Sequence, residues 1–282
     1  MLLTLNTNSI ARSSPGQAAP ELELLDIPRY AADELGLNGL TVTTNLLAGV
    51  SRDRMERLRE RADKVGCACL VLVDDSSLDL GSMSDDEGDG AIERARRVIE
   101  AARLLGCNAA AVVIDSSDDE DSFDLAVERL RITVEHAESV ELNLLIRPRE
   151  GLTGSPERIT ELIKKVGRFR LMTLPDFECA SGTDDPAQYL RRLTPYAGAV
   201  TASTISFATT PETDPDPAVL DEILSGQVEH TGYALGPMLE AIRSVGFDGP
   251  LGIDYRGPGD VTLGLLMSRG AIESALVDLD EG

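Results

Sequence analysis

Eight times along this chain a short apolar run is followed by a longer amphipathic segment, and no other feature limits the fold so tightly. The runs fall at 2–6, 39–45, 68–73, 109–114, 141–147, 170–175, 198–205 and 250–255. Most lack strict alternation, as strands covered on both faces should. Helical segments sit between them at 26–35, 51–65, 91–105, 122–138, 155–166, 186–193, 235–245 and 262–277. Ser155-Pro156-Glu157 is a helix-start signature. Ile92, Ala95, Val98, Ile99 and Ala102 fall on one helical stripe. Repeated β-α alternation implies a parallel sheet, and eight units are the number that closes a (β/α)8 barrel. Such a barrel uses about 250 residues, so the 282 residues are read as one α/β TIM barrel domain spanning 1–282. A doubly wound open sheet is the rival, but no GxGxxG follows the first strand.

Composition narrows the partners. The chain carries 26 basic and 49 acidic side chains, a formal charge of −23. Binding nucleic acid needs clustered Lys and Arg to release counterions, so that partner is excluded. An anionic membrane surface is disfavoured for the same reason. No run of 18 apolar residues would span a bilayer. The opening MLLTLNTNSIARSSPG lacks the basic and apolar regions of a signal peptide. Cys67, Cys69, Cys107 and Cys179 show no zinc-type spacing and read as reduced, partly buried thiols, which suits a cytoplasmic protein.

In a barrel of this kind the loops after the strands form the active face. Segment 74–90 after the third strand, 115–121 after the fourth and 206–234 after the seventh read as long polar loops. The first two are rich in carboxylates. They form either an acidic mouth that attracts cations or the solvated surface of an acidic protein. The residues ending the later strands are the candidates for chemistry: Ile146-Arg147-Pro148-Arg149 on the fifth, Leu174-Pro175-Asp176-Phe177 on the sixth, Val200-Thr201-Ala202-Ser203 on the seventh, and Ile253-Asp254-Tyr255-Arg256 on the eighth.

Three blocks give the chain a resemblance to a known family. They are GLTGSPERITELIKKVG with the LPDF that follows it, the stretch from Gly246 to Asp260 (GFDGPLGIDYRGPGD), and ARLLG at Ala102–Gly106. In this order they resemble the xylose isomerase-like TIM barrels, often named sugar phosphate isomerase/epimerase, from about residue 20 to about 275. The resemblance implies isomerase or epimerase chemistry on a sugar or polyol-like small molecule. It also implies a divalent ion held by a Glu ending strand five, an Asp ending strand six, a His on strand seven and a Glu on strand eight. The ion would polarise a carbonyl or hydroxyl while carboxylates move protons.

This chain departs from that pattern. Where the family motif resembles IENHGG the chain has IRPREG, which puts Arg147 at the first ligand position. Asp176 is kept. Where relatives resemble HAK the chain has TAS, with Thr201 for the His and Ser203 for the Lys. The strand-eight Glu is shortened to Asp254, and Arg256 replaces an acidic residue two positions on. An Arg stays protonated and cannot ligate a metal. The expectation is therefore that the Arg147 guanidinium takes the ion's place and bridges Asp176 and Asp254. No cofactor is favoured; Mn, Mg or Zn held by Asp176 and Asp254 is the fallback. Asp176 and Asp254 are the candidate catalytic carboxylates. Arg147, Arg149, Thr201, His230 and Arg256 are the candidate ligand-binding groups, with His230 a loop histidine able to carry a proton. The expected partner is a small sugar-like molecule; a homo-oligomer is compatible with such barrels, though no segment marks an interface. Two readings stay open: an isomerase or epimerase with altered chemistry, or a non-catalytic binding or scaffold relative.

Overall fold

Strand alternation and helix capping together decide which side chains reach the mouth of this protein. The computed structural model describes residues 1–11, 16–210 and 228–281. Eight strands follow one another: β1 (Leu2–Asn6), β2 (Gly39–Thr43), β3 (Ala68–Leu78), β4 (Ala109–Ile114), β5 (Asn143–Arg147), β6 (Leu171–Thr173), β7 (Val200–Thr204) and β8 (Pro250–Tyr255). Every neighbouring pair is parallel, from β6 through β5, β4, β3, β2, β1 and β8 to β7. Parallel bridges Thr173–Ala197 and Asp176–Thr201 then join β6 to β7 and close the (β/α)8 barrel. The expected fold class is observed.

The helices are α1 (Ile27–Arg29, continued as a π-helical turn over Tyr30–Glu34), α2 (Arg52–Lys64), α3 (Asp85–Leu105), α4 (Glu120–Ser139), α5 (Pro156–Val166), α6 (Pro186–Leu193), α7 (Leu235–Ser244) and α8 (Val261–Glu281). Their apolar stripes pack on the outward faces of the strands and form the larger core, with Leu40, Leu72, Ile99, Phe123, Leu130, Ile253 and Tyr255 among its members. The barrel interior holds a smaller cluster of Val71, Val73, Ala109, Ala111, Leu145, Leu174 and Ala199. Successive side chains on a strand point to opposite faces. The inward positions therefore continue from Val71 and Val73 to Asp75, from Leu145 to Arg147, and from Gly252 to Asp254. Tyr255 faces the outer layer, where its ring is buried and its hydroxyl donates to the Pro258 carbonyl.

Two expected acidic loops are much shorter than the sequence suggests. Segment 74–90 belongs mostly to β3, which runs on to Leu78, and to α3, which starts at Asp85. Ser84 caps α3 by accepting from the Glu87 N–H, and Asp85, Asp86 and Glu87 fill its first turn. Carboxylates are stabilised there by the positive end of the helix dipole. In segment 115–121, Asp119 caps α4 through the Ser122 N–H, while Asp118 and Glu120 pair with Arg158. A run of acids at a helix start has the composition of a loop, which is why the sequence pattern reads it as one. Of the expected loop 206–234, residues 211–227 lie outside the described residues.

Candidate functional site

The barrel's strand ends converge on one buried guanidinium, and it is Arg256. Arg256 lies two positions beyond Asp254, so both side chains share the inward face. Its backbone N–H donates to the Thr204 carbonyl at 2.8 Å, which fixes the end of β8 against β7. Gly257 follows because the chain passes so close to the Ile205 carbonyl that a Cβ would sit 2.3 Å from it. From this base the side chain folds back. Nε donates to Asp254 Oδ2 at 2.8 Å, Nη2 donates to Asp176 Oδ2 at 2.5 Å, and Nη1 donates to Asp176 Oδ1 at 3.2 Å and to Glu178 Oε2. The side chain is 9% exposed, and both aspartates are buried.

Each aspartate is held on its other side as well. Asp176 caps the one-turn helix Phe177–Ser181, and its Oδ1 accepts from the Glu178 and Cys179 N–H groups and from Ser203 Oγ at 2.9 Å. Tyr233 extends this network, its hydroxyl lying 3.2 Å from Ser203 Oγ. Asp254 accepts from Asn8 Nδ2 at 3.0 and 3.2 Å and from Ser9 Oγ at 3.0 Å. Asn8 and Ser9 are presented by the single helical turn after β1, which starts where Asn6 Oδ1 accepts from the Asn8 N–H. Burial alone would raise the Asp176 pKa; Arg256, Arg147 and Ser203 outweigh it and hold the carboxyl below the usual carboxylate range. For Arg256, burial works against the charge and the two aspartates more than offset it, so the guanidinium is held charged.

The expected bridge therefore exists with a different arginine in it. Arg147 reaches only one of the two aspartates, with Nη2 3.9 Å from Asp176 Oδ2, and its Nη1 lies 3.7 Å from Asp75 Oδ1. Both contacts are longer than a hydrogen bond. Arg147 ends β5 beside β6, whereas Asp254 is on β8, two residues before Arg256. The residue at the inherited ligand position attracts attention in the sequence, but proximity along the strand decides the geometry.

Arg147 instead lines a cavity of about 290 Å³ with Asn8, Asn45, Asp75, Val113 and Arg149. Arg149, 48% exposed, pairs with Asp115 at 3.5 Å. Cys179 also lines this space and is exposed, where the sequence reads as a partly buried thiol. Desolvation of its sulfur and the charge of Asp176 push its thiol up to about 11, so it is neutral at neutral pH. Thr201 is buried in β7 and bridges to Asp176 through the main chain, so it shapes the wall. His230 is not placed to carry protons. Its Nδ1 donates to the Tyr233 carbonyl at 2.9 Å, and its Nε2 accepts from the Ile205 N–H at 3.2 Å. Burial lowers its pKa, and both ring nitrogens serve to pin the segment after β7. The sequence reading did not single out Asn8, Ser9, Asp75, Glu178 or Tyr233. Strand parity could have found Asp75, two steps on from Val73, had 74–90 not been read as loop.

A divalent ion does not fit this arrangement. The Oδ2 atoms of Asp176 and Asp254 are both bound by the Arg256 guanidinium, and an ion there would lie against its positive charge. Among the described residues no group of three or more His, Cys, Asp or Glu side chains is arranged to hold a metal. Nor is any described helix long and apolar enough to cross a membrane.

A parallel eight-stranded barrel with its polar groups gathered at the carboxyl ends of the strands defines the class. The xylose isomerase-like TIM barrel family model matches residues 29–274, and the chain belongs to that family. No curated protein sequence matches it. Among solved structures it is similar to an L-ribulose 3-epimerase, with a TM-score of 0.77 and 13% identity over 100% of this chain and 98% of that one. It is also similar to the D-psicose 3-epimerase of Clostridium cellulolyticum H10, solved with D-tagatose, at a TM-score of 0.69 and 13% identity over 100% and 99%. A xylose isomerase-like TIM barrel protein from Mycobacterium smegmatis, in complex with magnesium, aligns at a TM-score of 0.68 and 17% identity over 99% and 97%. At such identities the likeness shows the fold.

Proposed function

We propose that this chain binds a sugar- or polyol-like small molecule at the barrel mouth, and that Arg256 supplies there the positive charge that a divalent ion supplies in metal-dependent relatives. The observation that carries the reading is the Arg256 guanidinium seated between Asp176 and Asp254. Two buried carboxylates facing one another need a cation between them. Here the cation is covalently attached.

The reading has a chemical consequence. An epimerase must take a proton from carbon and return one, so its carboxylates need an open lone pair and a pKa near the working pH. Asp176 has a lowered pKa and accepts from Ser203, two backbone N–H groups and Arg256. Asp254 accepts from Asn8, Ser9 and Arg256. Neither is placed as a general base, so these two residues hold the mouth together and Arg147, Arg149, Asn8 and Asn45 meet the ligand. A binding protein that no longer runs metal-dependent isomerase or epimerase chemistry is the function this supports best. Ligand-observed NMR with D-tagatose, D-psicose and L-ribulose, with and without chelator, tests it. Binding that chelator leaves unchanged, with no interconversion of the sugars, is the expected result. Chelator-sensitive epimerisation would overturn the reading in favour of a metal-dependent enzyme using Asp176 and Asp254.

A further inference from the structure

Resting on the reading of a sugar-like ligand, we propose that Arg147 and Arg149 form an oxyanion subsite in the cavity, and that the preferred ligand is a sugar acid or sugar phosphate whose carboxylate or phosphoryl group they hold. Arg147 Nη1 lies 3.7 Å from Asp75 Oδ1 and Nη2 lies 3.9 Å from Asp176 Oδ2, while Arg149 Nη2 lies 3.5 Å from Asp115 Oδ2. All three distances exceed the ordinary N–H···O range of about 2.7–3.2 Å. Two guanidinium groups, rich in N–H donors and only loosely paired, therefore border one cavity.

The backbone fixes where they stand. Arg147 is the last residue of β5, and Pro148 follows it. A residue before proline is held extended, so the strand direction carries on past Arg147. The Thr153 hydroxyl accepts from the Arg149 N–H at 3.2 Å and donates to the Arg149 carbonyl at 3.2 Å. The Leu152 N–H donates to the Ser116 carbonyl at 3.0 Å, which ties this loop to the one after β4. Gly151 has a φ of 96°, and a Cβ there would lie 2.8 Å from the same carbonyl oxygen. A loop tethered in this way lowers the ordering cost of binding.

The charge of the lining selects the ligand. Among the described residues, the charged side chains of the lining are Arg147 and Arg149 against Asp75, so positive charge is in excess. Asp176 is outside this lining, and its carboxylate is paired with Arg256. A neutral polyol leaves the excess uncompensated. An oxyanion compensates it and accepts the paired hydrogen bonds that a guanidinium offers to carboxylate and phosphate. The chain's formal charge of −23 opposes an anion's approach, but at physiological salt charges farther away than about 8 Å are largely screened. The volume of about 290 Å³ is at the small end for ligand pockets, which suits a monosaccharide-sized occupant, and the Asn45 amide offers donors and an acceptor to its hydroxyls.

The test is isothermal titration of the full chain, at physiological ionic strength, with D-sorbitol, D-gluconate and D-sorbitol 6-phosphate. These share one six-carbon chain and differ in a terminal group. At least one of the two anions is expected to bind about tenfold or more tightly than sorbitol, and the tighter of them identifies the oxyanion. Arg147→Met should remove that preference, and Arg149→Met, which replaces a half-exposed side chain, should reduce it to a lesser extent. Sorbitol binding as tightly as both anions would overturn the subsite and leave the sugar-ligand reading standing. A preference retained in full by both variants would overturn it as well. If the wild type engages none of the three, the sugar-ligand reading itself fails and this inference falls with it.

Discussion

Arg256 and Arg147 stand at the ends of two strands of one barrel and both approach Asp176, yet they are in different physical states. Arg256 is 9% exposed and makes hydrogen bonds to Asp176, Asp254 and Glu178. Arg147 is 20% exposed, lines a cavity, and keeps its acidic neighbours at 3.7 and 3.9 Å. A guanidinium whose donors are used up by buried carboxylates is part of the framework. One that borders a cavity without closing on its counter-ions is available to a ligand. The difference teaches that an arginine at a strand end is assigned by its donors' partners, not by the position it inherits.

The sharpest way to break this comparison is to remove each arginine in turn. Arg256→Met leaves Asp176 and Asp254 buried without their cation, and breaking such a pair costs about 3–5 kcal/mol. Arg147→Met removes two long, partly solvated ion pairs, worth less than about 1 kcal/mol. Denaturant melts of the two variants measure the contrast, and equal losses would abolish the distinction.

Acid offers a second test. The folded pKa of Asp176 lies below its unfolded value, so its stabilisation is complete above the unfolded pKa of about 3.9 and disappears as pH falls through the folded value. The wild type should therefore gain nothing from this group between pH 7 and 5. In Arg256→Met, burial without Arg256 should push that pKa up, and protonation should then favour the folded state. The stability gap to the wild type is expected to shrink as pH falls from 7 to 5, read from melts at each pH. A gap that stays constant would mean that Asp176 is not held charged by Arg256.

A smaller effect belongs to His230. Its folded pKa is below 6.5 through burial, so its contribution is complete above about pH 6.5 and is lost as pH falls through the folded value. His230→Phe leaves the Ile205 N–H and the Tyr233 carbonyl without their ring partners, at a cost of about 1–3 kcal/mol. The ring should appear in NMR as the neutral Nδ1-protonated form at pH 7; a charged ring there would contradict its pinning role. Ser203→Ala removes one of several donors to Asp176 and should cost about 1 kcal/mol in the same melts, far less than Arg256→Met.

Much of the barrel was legible because its signal is repeated. The strands at 2–6, 109–114 and 250–255 and the helix at 186–193 match the observed bounds. The third strand and helix were cut short because Asp74 to Gly90 look like loop, although a buried Asp74 bonded to Arg94 and a set of acids at a helix start account for them. At the site, the sequence identified Asp176, Asp254 and a guanidinium between them. It chose the wrong guanidinium, because motif correspondence marks Arg147 while the fold-back from β8 that brings Arg256 home depends on the Thr204 carbonyl and Gly257. Asn8 and Ser9 were missed for a related reason: they reach Asp254 from the other end of the chain, across the β1–β8 pairing.

Crystals of the wild-type protein soaked in manganese chloride and measured for anomalous scattering would address the central claim most directly. With Arg256 as the resident cation, no anomalous peak is expected between Asp176 and Asp254, and the density there should fit a planar guanidinium. A manganese peak bonded to both carboxylates, with Arg256 turned away, would contradict it.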